Sequence, residues 1–326
     1  MSKLSFRPAW WVPGPHAQTL WGKLVRRQAP LPTRVERWDT PDGDFVDIHR
    51  LTGKPGAPRV VLLHGLEGTA RSHYAQGLLG EMHRRGWSAD LLIFRSCGDE
   101  PNRNRRFYHS GETSDLGFVL DRLIASHPDQ QFALAGVSLG GNVLLKYLGE
   151  QGTAVPSQIV AAAAVSVPFD LGRGCSYIDH GFSRIYQKYF MDSLKEKTRE
   201  KVTRYPDLID PTAIDSLRTL REFDNAITAK LHGFADAEDY YESCSSLRFL
   251  HAISIETLLL NAVDDPFLPP RVLDEVRAVA ANNSHLHVEF PEHGGHAGFV
   301  GGVNPFAPVY YLERRVGEFL AKQFRS

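Results

Sequence analysis

Cysteine and long apolar runs are scarce in this 326-residue sequence. The three cysteines, Cys97, Cys175 and Cys244, are odd in number and form no Cys-x-x-Cys pattern. A disulfide framework is therefore not expected, and a reducing compartment fits. No run of about 18 apolar residues occurs, so the sequence predicts no membrane-spanning helix. The N-terminal segment also lacks the uninterrupted apolar core of a signal peptide, which makes the cytoplasm the expected location.

An excess of charge of either sign is also missing. Lys and Arg number 37 against 38 Asp and Glu, for a formal charge of −1. This balance gives no electrostatic reason to expect nucleic acid or an anionic membrane as a partner. Three tryptophans near the N-terminus, Trp10, Trp11 and Trp21, are expected to pack the leader segment against the domain. Peripheral contact of these tryptophans with a membrane is the open alternative.

Apolar runs of strand length alternate with amphipathic runs of helix length along most of the chain. Two short runs around Thr40-Pro-Asp-Gly, Val35–Asp39 and Phe45–Arg50, predict a hairpin. Further strands are predicted at Arg59–Gly65, Trp87–Phe94, Phe132–Ala135, Ile159–Val167, Thr257–Ala262 and His285–Phe290, and helices at His73–Arg85, Glu112–Ser126, Asn142–Leu148, Pro270–Ala281 and Pro305–Phe324. This alternation predicts an α/β fold with a mostly parallel central sheet covered by helices on both faces.

The alternation also suggests a division of the chain. Residues 1–34 are rich in proline and are expected to form an extended leader packed on the core. The core itself is assigned to residues 35–169 and 254–326. Residues 170–253 are helical in pattern and contain no clear strand. We interpret them as an inserted cap over the carboxyl ends of the strands, where ligands bind in open α/β folds.

A candidate nucleophile lies in Gly136-Val-Ser138-Leu-Gly140, which matches the G-x-S-x-G pattern. An apolar strand precedes it and a helix-forming run follows it, as a nucleophile elbow requires. The sharp turn forces the serine into a strained backbone conformation, so its neighbours must lack side chains that would clash. These features together predict an α/β-hydrolase fold with Ser138 as nucleophile.

Serine needs an adjacent base, and this fold places an acid and then a histidine after the nucleophile. Asp265 follows the apolar strand that begins near Thr257, and we favour it over its neighbour Asp264 as the acid. His296, in a loop of small residues, is favoured over His293 as the base. Ser138, Asp265 and His296 are therefore the predicted catalytic residues.

A metal site is the competing interpretation of the histidine-rich region. His285 and His287 would share one face of a strand, with His293 and His296 beyond it. No carboxylate or cysteine completes a recognisable set of ligands, so neither a metal nor another cofactor is expected.

The predicted oxyanion hole uses backbone amides. The loop His64-Gly-Leu66-Glu-Gly68 follows the first central strand, where this fold donates one N–H to the oxyanion, and the residue after the nucleophile donates the other. The candidate donors are therefore the N–H groups of Leu66 and Leu139. His64 is expected to support the loop.

Several motifs together resemble those of the YheT-like α/β-hydrolases, a family related to the ABHD-type lipid hydrolases and to yeast acyltransferases that form medium-chain esters. The matching stretches run from the leader to the last histidine: Pro8-Ala-Trp-Trp, His16-Ala-Gln-Thr-Leu-Trp, His64-Gly-Leu-Glu-Gly, Glu100-Pro-Asn-Arg, Phe107-Tyr-His-Ser-Gly-Glu-Thr-Ser-Asp, Gly136-Val-Ser-Leu-Gly-Gly-Asn, Asp264-Asp-Pro-Phe and Gly295-His. The resemblance implies the same triad and a carboxylic-ester hydrolase. The sequence departs from the family pattern at residues 95–100, so the resemblance does not predict the backbone conformation of that loop.

Three functions remain as hypotheses. The leading one is hydrolysis of a small-molecule carboxylic ester through an acyl-enzyme, and the alternatives are acyl transfer to an alcohol and a non-catalytic binding protein on the same scaffold. Aromatic and aliphatic residues at helical spacing, Phe182, Ile185, Tyr186, Tyr189 and Phe190, are expected to share one helix face. If this face lines a pocket, Phe182, Tyr186 and Phe190 bind the substrate and favour medium-chain or longer acyl groups.

Overall fold

The computed structural model describes residues 5–28 and 31–324, and its centre is an eight-stranded β-sheet. The strands are β1 (Arg34–Asp39), β2 (Phe45–Leu51), β3 (Arg59–Leu63), β4 (Ser88–Ile93), β5 (Phe132–Val137), β6 (Ile159–Val165), β7 (Glu256–Leu260) and β8 (Leu286–Glu289). Their spatial order is β1-β2-β4-β3-β5-β6-β7-β8. Only β2 runs against its neighbours, and every pairing from β4 to β8 is parallel. The predicted α/β class and mostly parallel sheet are confirmed.

Strand register brings the loops of the candidate site together. Leu63, the last residue of β3, pairs with Gly136 near the end of β5. Val165, the last residue of β6, pairs with Val137 on one side and with Leu260 on the other. The loops after these four parallel strands therefore emerge side by side at the carboxyl edge of the sheet.

Helices cover the sheet on both faces. Those that follow the strand–helix alternation are α2 (His73–Arg85), α3 (Ser114–Ser126), α4 (Leu139–Gln151), α11 (Pro270–Ala280) and α12 (Tyr311–Gln323). On one side α12 packs against α2 and β6, and on the other α4 packs against α3, β5 and β6. The four alanines 161–164 of β6 are fully buried between these layers.

Between β6 and β7 the chain is helical. The helices are α5 (Leu171–Ile178), α6 (Arg184–Arg204), α7 (Pro211–Ser216), α8 (Leu220–Phe223), α9 (Ala229–His232) and α10 (Ala237–Cys244), with 3-10 turns at Gly181–Ser183 and Ser246–Ala252 and a π-helical turn at Asp224–Thr228. These elements enclose small apolar clusters of their own, one around Met191 and Phe223 and another around Leu171 and Tyr240.

The N-terminal segment is not the extended leader that the sequence predicts. Its middle forms helix α1 (Gly14–Leu24), because Pro15 at the first turn fixes a helical φ angle where no intrahelical N–H bond is needed. The Trp11 and Trp21 rings pack edge to face with centroids 4.8 Å apart, next to the buried Val12. Trp10 does not share this packing and is 76% exposed.

The C-terminal helix is shorter than predicted. Residues 305–310 precede it, and within them β10 (Val309–Tyr310) pairs antiparallel with β9 (Val300–Gly301). None of the helices within residues 5–28 and 31–324 is long and apolar enough to cross a lipid bilayer.

The loop that departs from the family pattern contains a buried arginine. The Arg95 guanidinium, 1% exposed, donates to Asp115 at 2.7 Å, to Asp42 at 2.8 Å and to Asp44 at 3.0 Å. These carboxylates come from the turn between β1 and β2 and from the start of α3. Arg95 therefore joins the antiparallel edge of the sheet to the helical layer.

We expect Arg95→Met to destabilise the fold by about 3–5 kcal/mol, since it takes from the buried Asp44 its ion-pair partner and leaves the buried Asp115 with Arg106 at 3.8 Å. Arg105→Met is the matched control because Arg105 pairs with Asp207 on the surface, where solvent screens the ion pair and it contributes little to stability. Urea unfolding followed by tryptophan fluorescence measures both. Equal stability of the two variants would contradict a structural role for the Arg95 cluster.

Candidate functional site

Ser138 sits at the turn between β5 and α4 with φ 56° and ψ −123°, a strained conformation for a residue with a side chain. The two glycines of the motif make this turn sterically feasible. A Cβ atom at Gly136 would lie 2.4 Å from the carbonyl oxygen of Gly140, and one at Gly140 would lie 2.5 Å from that of His64. The backbone thus has the strand–turn–helix geometry of a nucleophile elbow.

The three residues predicted as a triad are hydrogen-bonded in series. His296 Nε2 lies 2.9 Å from Ser138 Oγ. On the other side of the ring, His296 Nδ1 lies 2.9 Å and 3.1 Å from the two carboxylate oxygens of Asp265, which is 2% exposed. In neutral imidazole, this arrangement assigns the proton to Nδ1, which donates to Asp265, and leaves Nε2 to accept from the serine hydroxyl.

The rival residues are occupied elsewhere. Asp264 accepts a bond from the Gly295 N–H at 2.9 Å and lies 3.2 Å from His293 Nδ1, whose side chain is 65% exposed. Asp264 therefore shapes the loop that carries His296. His285 and His287 instead share the carboxylate of Glu256. The four histidines thus contact three different carboxylates, and residues 5–28 and 31–324 contain no group of three or more His, Cys, Asp or Glu placed to hold a metal ion.

The loop after β3 leaves one backbone amide unused. Its other N–H groups are engaged: that of Gly65 donates to Tyr74 Oη at 2.9 Å, that of Glu67 to Tyr108 Oη at 2.8 Å and that of Gly68 to the Gly65 carbonyl at 2.9 Å. Within the described ranges no acceptor is bonded to the N–H of Leu66 or to that of Leu139, the first residue of α4. Both residues border the same cavity as Ser138.

His64 supports this loop as a neutral ring. It is completely buried, which lowers its pKa to about 4 because burial disfavours the charged form. Its Nε2 accepts the Phe94 N–H at 3.1 Å, so Nδ1 carries the proton and donates to the Gly65 carbonyl at 2.8 Å.

Comparison with known proteins assigns the family. Residues 58–303 match the sequence family described as the alpha/beta hydrolase fold. The YheT protein of Escherichia coli (strain K12) is 40% identical over 94% of this chain and 89% of its own. The chain belongs to the α/β-hydrolase family. The resemblance to the YheT-like proteins is thereby confirmed.

More distant proteins are also similar to this α/β hydrolase. Phospholipase ABHD3 of Mus musculus is 27% identical over 97% of this chain and 78% of its own. Among solved structures, the Pyrococcus furiosus esterase Pf2001 has a TM-score of 0.59 at 15% identity and covers 99% of each chain. The latter similarity concerns the fold alone.

The loops that form the candidate site of this α/β hydrolase are supported by residues that the sequence analysis did not identify. The Thr19 hydroxyl, on α1, accepts the backbone N–H of His296 at 2.9 Å and donates to the Pro15 carbonyl at 2.7 Å. Ser166 Oγ, at the end of β6, accepts the Ala297 N–H at 2.9 Å. The helix missed in the leader thus contacts the loop of the candidate base directly.

An ion pair between the buried Glu67 carboxylate and the partly buried Lys197 connects the loop after β3 to helix α6. Glu67, whose side chain is 3% exposed, accepts bonds from Lys197 Nζ at 2.9 Å and Tyr108 Oη at 2.8 Å, and also binds the Ser193 hydroxyl. Glu67 has a φ of 55°, in the left-handed region that disfavours side chains. The contacts from α6 therefore hold the residue beside Leu66 in a strained conformation.

A cavity of about 140 Å³ opens beside Ser138. Its walls come from the loop after β3, from Phe107–Ser110 and from helices of residues 170–253, and most of them are apolar. Phe267 also borders it and stacks on the His296 ring with centroids 4.0 Å apart.

The predicted aromatic stripe is only partly correct. Phe190 borders the cavity, but Phe182 and Tyr186 do not. Phe182 precedes α6, which begins at Arg184, so it lies in a separate turn, 47% exposed, against His16. Tyr186 is buried between His16 and Phe267. Ile185 and Tyr189 are more than half exposed, so the five residues do not share one buried face.

The Glu67–Lys197 pair generates a prediction. We expect Lys197→Met to lower kcat for ester hydrolysis by about ten- to a hundredfold, because the released Glu67 shifts the Leu66 amide. Lys188→Met, on the same helix and exposed, should keep the wild-type kcat. Steady-state kinetics on a p-nitrophenyl ester compare the two variants, and an unchanged kcat for Lys197→Met would show that the ion pair does not hold the loop.

Proposed function

We propose that this protein hydrolyses carboxylic esters through an acyl-enzyme intermediate on Ser138. The observation that carries the proposal is the series of contacts from Asp265 through His296 to Ser138, with the serine on a strained turn beside an apolar cavity. The name of the relative ABHD3, a phospholipase, supports an ester as the substrate.

In the first half-reaction, Ser138 Oγ attacks the ester carbonyl carbon while His296 Nε2 takes the hydroxyl proton. The carbonyl oxygen gains negative charge and accepts bonds from the amides of Leu66 and Leu139. These amides need not break an internal hydrogen bond to reach it, which makes them preorganised donors. When the intermediate collapses, His296 returns the proton to the departing alcohol and the acyl group remains on Ser138.

In the second half-reaction, water replaces the alcohol. His296 Nε2 takes a proton from the water as it attacks the acyl carbon, and then returns a proton to Ser138 Oγ as the carboxylic acid leaves. Asp265 keeps the Nδ1 proton in place and stabilises the imidazolium that forms in each half-reaction. Stacking of Phe267 restricts rotation of the His296 ring away from the serine.

We further propose that residues 170–253 act as a cap that provides the binding site for the acyl chain. Selectivity for the length of the acyl chain comes from contacts with the apolar walls of the cavity, to which Phe190 and Leu194 of α6 contribute. Each methylene that moves from water to such a wall stabilises the complex by about 0.8 kcal/mol. This favours medium-chain or longer acyl groups over acetyl.

The triad is tested by paired substitutions. Ser138→Ala and His296→Ala should each lower kcat by at least about 10⁴-fold, because the two residues act as a unit. Asp265→Asn should cost less than either. His293→Ala and Asp264→Asn are the matched controls, expected to retain most activity toward p-nitrophenyl butyrate. If His293→Ala abolished hydrolysis while His296→Ala did not, the assignment of the base would be wrong.

The acyl-chain site is tested with a series of p-nitrophenyl esters. We expect kcat/KM to rise from acetyl to hexanoyl by up to about fourfold per methylene, the rate equivalent of 0.8 kcal/mol. Phe190→Ala should flatten this rise and retain acetyl-ester turnover, whereas Ile185→Ala, exposed one turn earlier, should leave the profile unchanged. A wild-type profile that falls from acetyl onward would refute an apolar acyl site.

A further inference from the structure

Part of the cavity wall is polar, and the mechanism above does not use it. Asp224, Thr228 and His232 follow one another at intervals of four residues, from the π-helical turn after α8 to the end of α9. All three border the cavity that contains Ser138. We call these three residues the polar stripe. The rest of the cavity wall is mostly apolar, so polar groups here need a reason.

The backbone of this segment is unusual. Asp224–Thr228 is a single π-helical turn, closed by a bond from the Ala229 N–H to the Asp224 carbonyl, between two short α-helices. Such turns are rare, and proteins use them frequently at functional sites. This wider turn still allows the Thr228 hydroxyl to donate to Asp224 Oδ1 at 2.7 Å.

Asp224 is a carboxylate without a cation. Its second oxygen accepts the Tyr241 hydroxyl at 2.7 Å, and within the described part of the chain no Lys or Arg nitrogen lies within ion-pair distance of it. The nearby Arg221 binds the Gly172 carbonyl and Glu238 instead. Removal from water raises the pKa of Asp224 to about 6. Each oxygen retains capacity to accept a further bond.

His232 has an unused nitrogen. Its Nε2 atom is buried and has no hydrogen-bond partner among residues 5–28 and 31–324, which is a costly arrangement in a folded protein. Burial lowers the pKa of His232 to about 4, so the ring is neutral near pH 7. The His109 ring lies 4.4 Å away and also borders the cavity. Its Nδ1 accepts the Gly111 N–H at 3.2 Å, so the proton is on Nε2, which lies 3.8 Å from Glu112, beyond hydrogen-bond distance.

We propose that the polar stripe, with His109, binds a hydroxyl group of the ester substrate, so that the preferred substrate is an apolar ester carrying a hydroxyl away from the scissile bond. A hydroxyl both donates and accepts, which matches a carboxylate oxygen on one residue and an unpaired imidazole nitrogen on another. A neutral group also suits a wall whose histidines are uncharged. This proposal rests on the proposed function, because Ser138 and the stripe share one cavity.

The hydroxyl can belong to either half of the ester, and two pairs of substrates distinguish the sources. In the acyl pair, p-nitrophenyl octanoate is compared with p-nitrophenyl ω-hydroxyoctanoate. In the alcohol pair, propyl octanoate is compared with the glycerol monoester of octanoate. In one of the pairs, wild-type kcat/KM should be about tenfold higher for the hydroxylated member, the gain expected from one good hydrogen bond.

Variants of the stripe should remove this preference. Asp224→Leu removes the accepting oxygens at a similar side-chain size, and His232→Phe keeps a ring but has no nitrogen, so each should bring the ratio within the pair close to one. His232→Gln should retain part of it. His251→Phe, an exposed histidine outside the cavity, is the matched control and should keep the wild-type ratio. Because the readout is a ratio on one enzyme preparation, a lower fraction of folded protein does not change it.

Three results would overturn the proposal: a ratio near one in both pairs for the wild type, an unchanged preference in Asp224→Leu and His232→Phe, or a stronger preference for octanoylcholine, which would assign the stripe to a cation. Hydrolysis of p-nitrophenyl acetate separates this from the proposed function. If the kcat/KM ratio is near one in both pairs but p-nitrophenyl acetate is hydrolysed, only the proposal of a hydroxyl site is wrong. If no ester is hydrolysed, the proposed function is wrong as well.

Discussion

The strained backbone at Ser138 is the constraint on which the rest of the site depends. A serine with φ 56° between a buried strand and a helix needs neighbours without side chains, and Gly136 and Gly140 meet that need at contacts too short for a Cβ atom. The turn exposes Oγ beside the loop after β3 and starts α4 with the free amide of Leu139. The position of the proposed nucleophile and the availability of one proposed oxyanion donor thus follow from the same local geometry.

Other parts of the molecule hold the partners of that serine in place. Asp265 orients His296, Thr19 fixes its backbone from the N-terminal helix, and Lys197 of α6 binds Glu67 next to the second proposed donor. Each contact joins segments far apart in the chain. An active site assembled in this way depends on the whole fold, so that substitutions distant from Ser138 in sequence are expected to affect turnover.

The sequence predicted the parts of the site in which the reactive residues lie within short motifs of defined local geometry. The G-x-S-x-G pattern between a strand and a helix predicts the elbow, and the order acid then histidine predicts the hydrogen-bonded partners, both from local rules. Residues such as Thr19 and Lys197 were not predicted because their contacts are set by tertiary packing, which no short pattern encodes. The motif His16-Ala-Gln-Thr19 matches the family pattern and so marked this segment as relevant to function, but it did not indicate that the segment is helical. The aromatic stripe failed because α6 begins at Arg184, two residues after Phe182, and a period alone does not locate the start of a helix.

The proposed hydrolysis therefore depends on Ser138 being an activated nucleophile in this fold. The most direct measurement is covalent labelling of the wild-type protein with a fluorophosphonate, followed by mass spectrometry of its peptides. We expect one adduct per chain, on Ser138, and loss of labelling when His296 is changed to alanine. An adduct on another residue, or no adduct on a protein that is folded, would contradict this expectation.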